Sequence, residues 1–289
     1  MGRSQANGLL MLTAFLWGAG NVAQKTVLED VGPFTAVGLR CLIAALVLAP
    51  FFARIETNPM KGKLRSALKV IVTFAVGVTL YQMAAGLTSV TNAGFLVNIG
   101  IVITPIIAWV LHRQRHGFVV WSAASLALTG AFLMSGGIHS QFNLGDTLAI
   151  TSAVFFSFWM IFLGEFVVRH GQASFISLLQ FLVTGFICLP IALLVEPISI
   201  SGLKSALPEL LILGVVSTGI GYLLQAIAQA HTSASEAGVI LSGEAIFGAI
   251  CAFVMLGETL DHQGLFGAIL VLSGIGIVQL TQFYQPKSL

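Results

Sequence analysis

Ten apolar stretches divided by short polar punctuation make up most of the chain, at roughly 7–26, 34–54, 68–87, 91–111, 118–137, 145–166, 173–195, 207–228, 234–256 and 262–282. Each is continuously apolar, without the in-and-out alternation of a barrel strand, and so predicts a helix. Each is also near the roughly 20 residues that a helix needs to cross a bilayer. Short connections make consecutive helices antiparallel neighbours. The longest, IETNPMKGKLRS at 55–66, carries a proline, a glycine and a cluster of cations.

Composition agrees with lipid as the solvent: 57% of residues are hydrophobic and 8% charged, with a mean hydropathy of +0.97, where a soluble domain carries about 25% charged residues. The expected fold is therefore an all-α integral membrane protein of ten transmembrane helices. The net charge of +2 says little; the placement of the cations says more. With the N-terminus in the cytoplasm, that side collects Arg3, Arg54, Lys61, Lys63, Arg65, Lys69, Arg113, Arg115, Arg169 and Lys287, the outer side only Lys25 and Lys204, and Arg40 lies inside the second span. The positive-inside rule then puts both termini in the cytoplasm; the inner (plasma) membrane is the expected location of this multi-pass protein. Cys41, Cys188 and Cys251 all sit in apolar runs without CxxC spacing, as small buried hydrophobes do. The first run continues to about Thr26 without a small-residue cleavage site, so it is expected to stay as a helix.

Sliding 73–132 onto 217–276, an offset of 144, pairs Gly77 with Gly221, Ser89 with Ser233, Ala93-Gly94 with Ala237-Gly238, Ala108 with Ala252 and Gly130 with Gly274. Span boundaries superpose as well. Two halves, 1–137 and 145–282, followed by a tail at 283–289, are expected. Five spans per half is an odd number, so the second half would insert upside down, the architecture of many secondary transporters.

LTAFLWGAGNVAQK in the first span, TNAGFLVNIGIVITPIIAWVL in the fourth, GDTLAITSAVFF at the start of the second half, and ASEAGVILSGEAIFGAICAFVMLGETLDHQGLFGAILVLSGI across the last two resemble the EamA-type exporters of the drug/metabolite transporter superfamily. The resemblance covers nearly the whole chain. It implies ten helices in two repeats and export of amino acids or related metabolites, with aromatic amino-acid exporters the most similar. The chain departs from the pattern at Ser242-Gly243-Glu244-Ala245, where such exporters often have Glu-Pro, so that Ala245 removes a kink, and at His112–Arg115, where Gly257-Glu258 has its counterpart in the other half.

Polar groups at mid-membrane depth face protein or a water-filled cavity. Trp17, Asn21 and Gln24 share one face of the first span, and an indole beside two amides suits a zwitterion with an apolar body; the amides would serve equally to bond neighbouring helices. Tyr81 and Gln82 in the third span, and Tyr222, Gln225 and Gln229 in the eighth, are placed similarly. Trp159 is expected to form an aromatic wall opposite Trp17, with a packing or lipid-facing tryptophan as the rival. Asn98 and Ser242 coincide under the offset. Glu244, with Glu236 two turns earlier on its face, is expected to meet a substrate ammonium or take up a proton, against a structural hydrogen bond as the alternative. For Arg40, about two turns from the outer surface, snorkelling or a structural pair is favoured over a carboxylate site. The acids at span ends, Glu29, Asp30, Asp146, Glu258 and Asp261, are expected to be solvated caps. The cations around His112 and His116 are accounted for by anionic lipid.

A cavity lined by spans 1, 3, 4, 6, 8 and 9 is expected, with hinges at Gly77, Pro105, Gly219 and Gly221. Spans 5 and 10, with Gly264, Gly267 and Gly274, read as packing supports or a homodimer contact. No Gly-Lys-Ser/Thr loop or HExxH is present, so neither ATP coupling nor a zincin site is expected. An isolated His231 argues against a metal. The expected protein is not an enzyme, needs no cofactor and binds no nucleic acid; its partners are lipid and a small-molecule substrate. An amino acid leads, a hydrophobic cation or other metabolite is the alternative, and an intramembrane enzyme or a channel ranks below both.

Overall fold

The computed structural model describes residues 1–52, 62–113, 116–135, 142–256 and 260–284. Arg54, Lys61, Arg115, Glu258, Lys287, most of the 55–66 connection and the tail from 285 lie outside the described residues. Every regular element among those described is helical. In chain order they are α1 (Arg3–Asp30), α2 (Pro33–Phe52), α3 (Leu64–Leu87), α4 (Val90–Asn98), α5 (Gly100–His112), α6 (Phe118–Met134), α7 (Leu144–His170) and α8 (Ala173–Val195). There follow α9 (Ile200–Ser205), α10 (Leu207–Leu211), a π-helical turn at Ile212–Gly221, α11 (Tyr222–Gln229), α12 (Ala234–Leu241), α13 (Glu244–Leu256) and α14 (His262–Tyr284).

Among the described residues, eight helical stretches are long and apolar enough to cross a membrane. The two other expected spans coincide with the shorter α6 and with α1, whose length is ample but whose Asn7, Asn21, Gln24 and Lys25 dilute its apolar character.

Two spans expected to be continuous are broken. The fourth is interrupted at Ile99 and the ninth at Ser242-Gly243. The loss of a proline at 245 therefore does not straighten the ninth: Gly243 N–H bonds Ile240 O and Ala245 N–H bonds Ser242 O, three-residue spacings that tighten the backbone where the α-helix stops. The break in the fourth lies at Ile99 rather than at Pro105, through which α5 continues. In the eighth, Gly219 and Gly221 fall within the π-helical turn, where widened backbone rings replace a simple bend. Gly77 sits inside the unbroken α3 and receives the Phe156 ring.

Packing is reciprocal between the two halves. α2 lies on α8 and α6 on α14; α3 packs on α7 as the α10–α11 stretch packs on α1; α4 and α5 pack on α7 as α12 and α13 pack on α1. Small residues permit the closest approaches. A Cβ on Gly130 would stand 2.5 Å from Gly267 O, and one on Gly267 equally close to Gly130 O. The glycine faces of spans 5 and 10 are thus used against each other, as packing supports. Glu196, at the end of α8, accepts from Phe34 N (2.6 Å), Thr35 N (2.9 Å) and Thr35 Oγ1 (2.7 Å), capping α2 and fastening the pair.

Candidate functional site

α1 carries one wall of a central cavity of about 120 Å³. It crosses α13 where Gly18 has no side chain: a Cβ there would lie 2.7 Å from both Glu244 O and Gly248 N. That approach brings the Asn21 amide into hydrogen bonding with the Glu244 carboxylate, and both line the cavity. One turn earlier, Trp17 Nε1 donates to Ser217 O at 3.0 Å, and its ring lies 4.8 Å from that of Tyr222.

The aromatic wall is continuous rather than split into facing halves. Tyr222 stands between Trp17 and Trp159, 5.3 Å from the latter, and Phe74 closes the cluster behind them at 5.1 Å from Tyr222 and 5.5 Å from Trp159. Trp159 is 1% exposed and donates Nε1 to Gln180 Oε1 at 2.9 Å, so it does not face lipid. Tyr81 lines the cavity across from Phe156, and Asn98 lines it from the last turn before the Ile99 break, with Nδ2 donating to Gly94 O at 2.9 Å. Gln225 also faces the cavity, whereas Gln229 turns to Met160 O. Gln82 and Ser242 do not line it. Gln82 stands behind Arg40, and the Ser242 hydroxyl is spent on Val239 O in its own turn.

Arg40 is the main correction. It does not snorkel: it is 2% exposed and lines the cavity, which adds the second span to the six expected, and among the described residues no acid pairs with it. Its Nε donates to Thr218 Oγ1 at 2.9 Å, and its Nη1 to Gln24 Oε1 at 2.6 Å and Gln82 Oε1 at 3.2 Å. Gln82 Nε2 in turn donates to Gln24 O at 3.0 Å, tying α3 to α1 behind the guanidinium. Sequence carried one signal for this, a lone cation within an apolar span. Thr218, which bonds Arg40, and Phe74 and Gln180, which hold the aromatic wall, had none.

Of the acids expected to be solvated caps, Glu29, Asp30 and Asp261 are exposed, Asp261 accepting from Gly264 N at 2.7 Å at the start of α14, and Asp146 alone among the described ones departs. Asp146 is 1% exposed; its carboxylate caps α7 through Asn143 N (3.0 Å) and accepts from Thr88 Oγ1 (2.8 Å) and Asn92 Nδ2 (2.6 Å). Glu236 does not act with Glu244, from which the 242–243 break separates it. It pairs with Arg3 at 2.9 Å and closes a capping box with Ser233. His112 faces Glu165, and His116 Nε2 lies 3.3 Å from Ser235 Oγ. Burial draws the His116 imidazole below its ordinary value while Glu236 pulls the other way. Among the described residues, no three His, Cys, Asp or Glu side chains gather to hold a metal.

A chamber of this kind, sunk in a bundle of apolar helices, can take up a small solute. The family model for EamA-like transporters matches residues 5–136 and again 143–280. The chain belongs to the EamA-like transporter family. Similar proteins include an uncharacterized transporter of Archaeoglobus fulgidus, 28% identical over 94% of this chain and 84% of its own. Another, of Methanothermobacter thermautotrophicus, is 25% identical over 93% and 84%. A third, named a probable terminal-alkyne amino-acid exporter, of Streptantibioticus cattleyicolor, is 22% identical over 95% and 93%. A protein crystal structure shares the fold at a TM-score of 0.81, covering 99% of this chain and all of that one at 18% identity. EamA membership makes the protein a membrane transporter of the drug/metabolite type.

Proposed function

We propose that this EamA transporter exports a small, partly apolar metabolite, an amino acid foremost, across the inner membrane by alternating access without ATP. The observation that carries the reading is a single cavity that joins a guanidinium, a carboxylate and an aromatic wall: Arg40, Glu244 and the Trp17–Tyr222–Trp159 cluster. Those are complements for a carboxylate, an ammonium and an apolar side chain. The probable terminal-alkyne amino-acid exporter among the similar proteins supports the same class of cargo.

Ten membrane crossings in two inverted halves, 1–137 and 145–282, with both termini cytoplasmic, fit the mechanism. The reciprocal packing and the paired breaks at Ile99 and Gly243, 144 residues apart, support that arrangement. Rocking of one half against the other would use those breaks and the π-helical turn holding Gly219 and Gly221, with Gly77 and Pro105 as secondary points of bending. A homodimer through spans 5 and 10 would have to use their outer faces, where Leu265, Phe266, Ile269 and Leu272 are exposed.

A hydrophobic cation is the second reading, favoured by Glu244 beside aromatic rings and opposed by the buried positive charge of Arg40. Proteoliposomes loaded with labelled phenylalanine, threonine or tetraphenylphosphonium distinguish the two. Efflux of phenylalanine is expected; efflux of the cation without either amino acid would overturn the proposal.

A further inference from the structure

We propose that Arg40 and Gln24 together form the seat for the substrate's carboxylate, an assignment that rests on the exporter reading and names the end of the substrate that is recognised. Arg40 is a nearly fully buried cation whose protein partners, Gln24, Gln82, Thr218 and the Tyr222 hydroxyl, are all neutral. Among the described residues no carboxylate lies within 4.0 Å of it. A buried charge that lacks an opposite charge is costly, and the cost falls sharply when an anion arrives. A guanidinium serving structure alone would be expected beside an acid.

Gln24 supplies the second donor. Arginine has no acceptor, so the amide oxygen of Gln24 must be the atom turned to Arg40. That leaves its Nε2, in a residue only 7% exposed and lining the cavity, without a partner. Two donors of complementary kind, one charged and one neutral, therefore border the same space, and a carboxylate with two oxygens satisfies both. Gln225 Oε1, an acceptor, is a second buried polar atom without a partner in a residue that lines the cavity, and it suits the ammonium of the same molecule. The spacing on α1 agrees. Gln24, at the Arg40 site, and Asn21, at the Glu244 site, are three residues apart, about 4.5 Å of helix rise. That is the scale on which an α-amino acid separates its two charges.

The assignment makes the acid group obligatory and the amino group secondary. Acid and amide pairs test it in two assays, thermal unfolding of the purified protein and competition against efflux from proteoliposomes. The pairs are phenylalanine with phenylalaninamide, threonine with threoninamide, and 3-phenylpropionate with 3-phenylpropionamide. Each acid is expected to stabilise the wild-type protein and compete at least about tenfold better than its amide, the scale of one charge-assisted hydrogen bond. Arg40→Gln is expected to erase that preference and Arg40→Lys to retain part of it. Gln24→Leu, which removes the neutral donor alone, should weaken acids more than amides. Equal potency of acid and amide on the wild type, or no response to any acid, overturns the assignment whatever the variants do. Response to 3-phenylpropionate but to neither amino acid would instead sink the amino-acid cargo and leave the Arg40–Gln24 seat standing.

Discussion

Asn92 and Glu236 stand 144 residues apart and hold the same place in two helices. Each is the third residue after a serine cap, with Asn92 N donating to Ser89 Oγ at 3.1 Å and Glu236 N to Ser233 Oγ at 3.3 Å. Each also reaches the first turn of the helix that opens the other half: Asn92 bonds Asp146 at the start of α7, and Glu236 binds Arg3 at the start of α1. In an inverted pair these ties would lie on opposite sides of the membrane, one closing each mouth of the cavity.

Their strengths differ, and the difference is testable. Asp146 is buried with three donors, whereas the Arg3 side chain is 44% exposed and its pair is open to screening. Asp146→Ala is expected to cost about 2 kcal/mol or more by stranding buried donors. Glu236→Ala should cost about 1 kcal/mol, mostly as a lost cap. Unfolding midpoints in detergent measure both. In a background without Cys41, Cys188 and Cys251, impermeant thiol reagents should find cavity positions more reactive from opposite faces in the two variants. Reactivity rising from one face in both would contradict the inverted arrangement.

Gly221 sets the position of Trp17. A Cβ there would meet Trp17 Nε1 at 2.6 Å and Cδ1 at 3.1 Å, so Gly221→Ala must push the indole off Ser217 O. Alanine ordinarily gains about 1 kcal/mol over glycine in a helix, which makes a loss diagnostic. Efflux should fall several-fold and tryptophan fluorescence should shift. Gly164→Ala, which lies off the cavity and whose Cβ would meet Gln229 Nε2 at an ordinary 3.9 Å, is the control and should change neither.

The positions of the helices were legible because lipid leaves so few ways to satisfy a backbone, and apolar runs of spanning length mark them directly. Tyr222, Trp159 and Glu244 could be singled out for the same reason, as polar or amphipathic groups at depth. The interruptions at Ile99 and Ser242-Gly243 could not. No proline sits at either, and Pro105, which does signal a break, lies in an intact helix. Arg40 was misjudged on distance to the surface along one helix. Its burial depends on Gln24, Gln82 and Thr218 arriving from three other segments, which no local pattern encodes.

Close packing of spans 5 and 10 predicts unequal responses to one added methyl group. Gly267→Ala places a Cβ 2.5 Å from Gly130 O and 2.9 Å from Met134 N, both backbone atoms that cannot yield cheaply. It should destabilise by about 1–3 kcal/mol. Gly276→Ala, on the same helix with nothing within 4 Å, should be neutral or stabilising by up to about 1 kcal/mol. Equal midpoints for the two variants would mean that α6 and α14 do not meet this closely.

Glu244→Gln keeps a group that can hydrogen-bond Asn21 while removing the charge. Under the proposed function, phenylalanine efflux should fall about tenfold or more, as expected for loss of a charge-assisted contact, and any dependence of efflux on pH should flatten. A variant with unchanged rate and unchanged pH profile would reduce Glu244 to a structural hydrogen bond between α1 and α13.

His116 makes the contact near Arg3 and Glu236 sensitive to acid. Burial lowers its folded-state pKa from the ordinary 6.5, and the nearby Glu236 limits the shift. The unfolded chain therefore binds a proton at a pH where the folded chain does not, so the stabilisation is present above about 6.5 and is lost as pH falls through the folded value. Unfolding midpoints measured between pH 7.5 and 5, on the order of one unit either side of the imidazole range, should decline on acidification for the wild type and less steeply for His116→Gln. Glu236→Gln removes the charge that favours imidazolium and should steepen the decline. A shallower slope in Glu236→Gln would mean that the carboxylate, rather than the imidazole, carries the response.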